Sequence, residues 1–212
     1  VTRSAMLLAV YAEALRRWTD DENRDFIVTV PGLSVAGTES HILDRTRIYA
    51  ARCLDRPDRS AAESFTDSAA ELRYRIAKGV DAVDELRHAV ATGSGHRGLA
   101  PYVLTYSADR PVLPATASEL LGHPTMIRSS TPQVIIDFQV YRFVAEEVSL
   151  SFDVRVGALA DGVAEQLFVT TVEAVTALAE WTPERARSMK LTDLVTLPTH
   201  VRRHRDQLAG TE

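Results

Sequence analysis

Apolar residues recur at helical spacing through residues 4–18, where Ala5, Leu8, Ala9, Ala12, Leu15 and Trp18 form one stripe. Glu13, Arg16 and Arg17 lie off it. The pattern then changes period. Phe26-Ile27-Val28-Thr29-Val30 alternates as a strand does, with Pro31-Gly32 as its expected stop. The mixed apolar and basic stretch from His41 to Leu54 reads as a second strand. Ser60-Ala61-Ala62-Glu63 has the capping-box pattern, and it predicts a helix with Phe65, Ala69, Leu72 and Ile76 on one face. A further helix follows Gly79 and carries Val83, Leu86 and Val90.

After a loop over Thr92 to Gly98, Tyr102 to Tyr106 reads as a strand. The segment from Asp109 to Arg128 is rich in Pro, Thr and Ser, which predicts a long surface loop with one short helix near Ser118 to Leu121. Pro132 then launches the strongest strand pattern in the chain. Alternate side chains point to opposite faces, so Val134, Ile136, Phe138 and Val140 make one apolar face. Gln133, Asp137 and Gln139 share the other with Ile135 and Tyr141. Asp is depleted in strands, so this second face either meets water or has chemistry to do. A turn at Ala145-Glu146-Glu147 is expected to lead into the period-two strand Val148 to Val154. Asp161 is the expected cap of a long amphipathic helix through Val163, Leu167, Val175 and Leu178. The tail from Leu197 is polar and basic, with Arg202, Arg203, His204 and Arg205.

Strands mixed with helices, including one hairpin, predict an α/β fold, a two-layer sandwich with a mixed sheet. The 212 residues are enough for one sizeable core, most simply a single domain. A net charge of −5 offers no global attraction to nucleic acid or to an anionic membrane. No apolar run approaches the ~20 residues a membrane span needs, and no signal-peptide pattern opens the chain, so a cytoplasmic location is the default expectation. The first residue is Val, which suggests a processed chain or a piece of something longer. Cys53 is the only cysteine, which excludes an intrachain disulfide and a multi-thiolate zinc site and leaves it as a small buried hydrophobe.

Two other patterns reduce to bland readings. Gly93-Ser94-Gly95-His96-Arg97-Gly98 matches Gly-x-Gly-x-x-Gly literally, but it follows a helical pattern and enters a strand, the reverse of a dinucleotide fingerprint. It reads as a connector. His200 and His204 stand at i and i+4 among arginines with no third ligand, so no metal site is expected.

Thr131-Pro132-Gln133-Val134 followed by Asp137-Phe138-Gln139-Val140 resembles the late signature of heterocyclization domains of nonribosomal peptide synthetases. These are the cyclising relatives of condensation domains. The family's preceding block, Pro and a hydrophobic run ending in Thr-Ser, stands as Pro101-Tyr102-Val103-Leu104-Thr105-Tyr106-Ser107. The helix ending Leu15-Arg16-Arg17-Trp18 is similar to the first helix of the family's C-terminal lobe. Gly79-Val80 with Glu85-Leu86-Arg87 resembles a later block, and Leu197-Pro198 with the basic tail resembles the linker to an adenylation domain. The resemblance spans nearly the whole chain but half a family member. The half that normally carries Asp-x-x-x-x-Asp, or His-His-x-x-x-Asp-Gly in condensation domains, lies outside it. Gly37-Thr38-Glu39-Ser40 stands where the family has Gly-Asp-Phe-Thr, and Ile135 and Phe138 replace its usual Trp and His.

The resemblance implies one lobe of a chloramphenicol-acetyltransferase-like fold over 1–196, with 197–212 as linker helix. It implies dehydration chemistry at Asp137 and Thr105, closing thiazoline or oxazoline rings on carrier-bound Cys, Ser or Thr. A carboxylate can take and return a proton, and a threonine hydroxyl can orient it. Gln139, Gln133 and Ser107 are the accompanying substrate-binding candidates. Gln139 reads equally well as a buried amide satisfying backbone, and Gln133 and Thr131 as turn residues. Ser107 lies outside any Gly-x-Ser-x-Gly elbow and is no nucleophile. The expected partners are an N-terminal lobe, carrier proteins and an adenylation domain. No cofactor is bound directly, the phosphopantetheine arm being presented by the carriers, and the chain is not expected to act alone. Two alternatives stay open: a non-catalytic interaction lobe that docks carrier or synthetase domains, and an ordinary condensation lobe.

Overall fold

The computed structural model describes residues 1–18, 26–33, 46–79, 82–92, 101–122, 124, 134–144 and 147–198. In chain order the elements are α1 (Arg3–Trp18), β1 (Phe26–Leu33), β2 (Thr46–Cys53), α2 (Ala61–Lys78), α3 (Ala82–Ala91), β3 (Tyr102–Ser107), α4 (Ala115–Leu121), β4 (Ile136–Val144), β5 (Glu147–Val154), α5 (Val163–Ala179), α6 (Pro183–Ser188) and α7 (Leu191–Leu194). They form two compact units, each built from separated stretches of chain. One holds residues 1–26, 53–69 and 160–212, the other residues 27–52 and 70–159. No helix among the described residues is long and apolar enough to cross a membrane.

The second unit contains a five-stranded sheet in the order β2-β1-β3-β4-β5. β1, β3 and β4 run parallel, and β5 returns antiparallel to β4, so the expected mixed sheet and α/β class are borne out. Leu104 stands beside Phe138, and Phe138 beside Phe152. The two phenyl rings meet edge to face with centroids 5.3 Å apart. Ile136, Phe138 and Val140 are buried, as the alternation predicted for that face of β4, and Leu104 and Val28 are buried with them. α2 ends at Gly79, whose φ of 64° is left-handed and whose N–H reaches back to the Arg75 carbonyl. Arg47 closes that end by donating to the Gly79 carbonyl at 2.7 Å.

In the first unit α1 packs on α5 and α7. Nearly all of α1 is buried, Tyr11 and Val10 completely. Two residues off the apolar stripe are inside as well: Glu13 and Arg16 are only 4% and 5% exposed. They are tolerated inside because their charges are paired and their polar atoms bonded. Arg16 donates to Glu13 at 3.1 Å and to the carbonyls of Cys53 and Leu54, each at 3.0 Å. Arg17 joins Glu13 at 3.0 Å and the Thr192 carbonyl at 2.8 Å.

Other boundaries shift. β1 runs through Pro31-Gly32 instead of stopping there. Its described pairs with β3 lie at Val28 and Thr29, before the proline whose missing N–H would weaken a ladder. β4 begins at Ile136 rather than directly after Pro132, where the Ile135 and Ile136 N–H groups share the Pro101 carbonyl. Ser60 caps α2 as predicted, its hydroxyl accepting from the Glu63 N–H while the Glu63 carboxylate accepts from Ser60. Of the four residues placed on one face of α2, Phe65, Ala69 and Leu72 are buried and Ile76 is 53% exposed. α5 is not capped by Asp161: Gly162 holds the N-cap position at φ 78° with no side-chain hydrogen bond. The short helices α6 and α7 went unforeseen, although Thr182-Pro183 is a regular N-cap followed by proline at the first helical position. Cys53 is buried, as expected of a small apolar side chain.

Candidate functional site

The polar face of β4 meets matching faces on β3 and β5. Parallel register sets Val103 beside Asp137, Thr105 beside Gln139 and Ser107 beside Tyr141. Antiparallel register continues each row into β5, with Asp153 opposite Asp137, Ser151 opposite Gln139 and Ser149 opposite Tyr141. Residues in register share a face, so three rows across three strands gather these side chains on one surface. Thr29 of β1, beside Val103, extends the Asp137 row by one strand.

The face does not simply meet water at its centre. Asp137 is 7% exposed and Gln139 1% exposed. Thr105 Oγ1 donates to Asp137 Oδ1 at 2.9 Å. Gln139 Nε2 donates to Asp137 Oδ2 at 2.9 Å and to Asp153 Oδ2 at 3.0 Å. Each oxygen of Asp137 thus has a donor of its own, one from β3 and one from its own strand. Tyr141, half-buried in the next row, has its phenol pushed above the ordinary 10.0, first by burial and then by the charges of Asp137 and Asp153. Its proton therefore stays on at neutral pH. A carboxylate with one hydroxyl donor and one amide donor can accept a proton from a reacting N–H and return it to a leaving oxygen.

Of the residues singled out in the sequence, the structure brings Thr105, Asp137 and Gln139 into one hydrogen-bonded group. Gln139 spends its amide nitrogen on two carboxylates. Ser107 lies on the same face two residues further along β3, at its exposed end. Gln133 and Thr131 lie outside the described residues, as do Gly37 to Ser40, the glycine-rich loop, His200 and His204. Asp153 was missed. It sits in a strand whose alternation was plain, but its relation to Asp137 depends on hairpin register, which alternation alone does not specify.

No protein-family model matches the chain. It is 25% identical over 197 residues to pyochelin synthetase PchE of Pseudomonas aeruginosa strain UCBPP-PA14, covering 90% of this chain and 13% of that one. A solved structure of the nonribosomal peptide synthetase FmoA3 superposes with a TM-score of 0.75 at 30% identity, over 90% of this chain and 20% of the other. The cyclization-docking bidomain of EpoB from Sorangium cellulosum shares the fold, with a TM-score of 0.72 at 19% identity over 89% of this chain and 38% of that one. The chain thus spans a small part of each synthetase it matches. It is homologous to pyochelin synthetase PchE and similar in structure to the condensation and cyclization domains of nonribosomal peptide synthetases, over an extent that fits a single lobe.

Proposed function

We propose that the chain is the C-terminal lobe of a heterocyclization domain in which Asp137 and Thr105 carry the dehydration step. Residues 1–196 would be the lobe and 197–212 the linker toward an adenylation domain. The observation that supports this reading most directly is the 2.9 Å hydrogen bond from the Thr105 hydroxyl to a carboxylate that is almost fully enclosed.

The reactants are thioesters on the phosphopantetheine arms of two carrier domains. The amine of a carrier-bound Cys, Ser or Thr attacks the upstream thioester, forming an amide and releasing the upstream thiol. The side-chain thiol or hydroxyl then adds to the new amide carbonyl, whose oxygen takes a proton and becomes a hydroxyl. Loss of water completes the ring. Asp137 removes the proton from nitrogen, the lone pair forms the C=N bond, and the same proton returns to the departing hydroxyl. Thr105 and Gln139 hold the two oxygens of Asp137 while this happens.

The test supplies the chain with a complementing N-terminal lobe and both loaded carriers, and reads the downstream carrier by intact mass. Asp137→Asn keeps size and most hydrogen-bonding capacity but cannot shuttle a proton. Positioned acid–base catalysis contributes ~10²–10⁴-fold, so ring closure should slow by about that factor while amide formation survives. The ring is lighter than the uncyclised amide by one water. Cyclised product at the parent rate would make Asp137 structural and leave the interaction-lobe reading in its place. Without the second lobe no turnover is expected, because one lobe cannot enclose the reacting groups.

A further inference from the structure

Two aspartates directly opposite each other on neighbouring strands are an unfavourable pair, since like charges so placed repel. Asp137 and Asp153 hold those positions on β4 and β5. What joins them is the carboxamide of Gln139, in the next row of the same face. An amide nitrogen carries two hydrogens, and here one points to each aspartate, at 2.9 Å and 3.0 Å. Turning the amide over would aim its carbonyl oxygen at two carboxylate oxygens, which is repulsive on both sides. With a single acceptor the amide could still swing, because the terminal torsion of Gln is broad. Two acceptors on adjacent strands leave it one orientation.

We infer that Asp153 is a positioning residue of this site, acting through Gln139 to fix the donor on Asp137 Oδ2. The inference rests on the dehydration role proposed for Asp137. Thr105 holds Oδ1 from β3, and the amide of Gln139 holds Oδ2. With Gln139 anchored from β5, both oxygens are held from two directions and the plane of the carboxylate is set. The group that must meet a reacting N–H then does so without first searching for its orientation, and misplacement of about 1 Å at such a step can cost ~10²-fold.

The test uses the full chain with its complementing lobe and loaded carriers, and reads the ratio of ring to uncyclised amide together with the rate of amide formation. Asp153→Ala removes the anchor and should lower ring closure by roughly 10–100-fold with amide formation unchanged. Asp153→Asn keeps a carbonyl oxygen that can accept from Gln139 Nε2, and should restore most of the parent ratio. A parent ratio in Asp153→Ala overturns the proposal. Equal loss in both variants also overturns it, because charge rather than the anchoring contact would then matter, and so does a matching fall in amide formation. Asp137→Asn runs alongside. If that variant closes rings at the parent rate, the dehydration reading itself fails; if it blocks closure while Asp153→Ala does not, only the role of Asp153 is lost.

Discussion

Thr105 and Asp137 lie 32 residues apart in sequence, on adjacent parallel strands, and their side chains share a 2.9 Å hydrogen bond. The bond is diagonal: Thr105 is in register with Gln139, one row along from Asp137. The hydroxyl thus crosses from one row to the next to reach the carboxylate, while Gln139 reaches it from the same row as Thr105.

This geometry separates two substitutions at Thr105. Thr105→Ala removes the donor to Oδ1 and should block ring closure in the same direction as Asp137→Asn, with uncyclised amide accumulating on the downstream carrier. Thr105→Ser keeps the hydroxyl and should be milder. Mass analysis of the carrier checks both, and equal loss in the two variants would assign the effect to the threonine methyl group.

Tyr141 gives a pH signature. Burial, and then the charges of Asp137 and Asp153, hold its phenol above the usual 10.0. The folded protein keeps that proton where the unfolded chain begins to release it, near ~10. The resulting contribution to stability is complete below that pH and is lost as pH rises through the folded value. Tyr141→Phe should therefore flatten part of the alkaline fall in stability. By ultraviolet titration, Asp153→Asn should lower the Tyr141 value while leaving it above the usual one, since burial is the larger cause.

Glu13 and Arg16 provide a stability test remote from the site. Removing one partner of a buried ion pair typically costs ~3–5 kcal/mol, so Glu13→Ala should shift the denaturant midpoint strongly. Replacing both by apolar residues should not recover the loss fully. Arg16 also satisfies the carbonyls of Cys53 and Leu54, and these would lose a donor in any background. Full recovery in Glu13→Leu with Arg16→Met would show that those carbonyl bonds contribute nothing.

Phe138 occupies the apolar face directly behind the polar group. It is fully buried and stacks edge to face on Phe152. Phe138→Ala should cost ~3–5 kcal/mol in a denaturant melt. Phe138→Leu should cost far less, because it keeps most of the buried volume.

Much of this was legible along the chain because it is local. Alternation at Ile136, Phe138 and Val140 assigned one face of β4 to the core and, by the same parity, put Asp137 and Gln139 together on the other. Ser60 and Glu63 announced the start of α2 through groups three residues apart. Tertiary structure alone decided which strands lie beside β4 and in what register, since those pairings depend on chain segments distant in sequence. That register turned Asp153 from one residue in an alternating strand into the second carboxylate on Gln139. It also decided that Glu13 and Arg16 are buried. Helical periodicity ranks faces by polarity, but a charged pair goes inside when distant partners, here the carbonyls of Cys53 and Leu54, take up its hydrogen bonds.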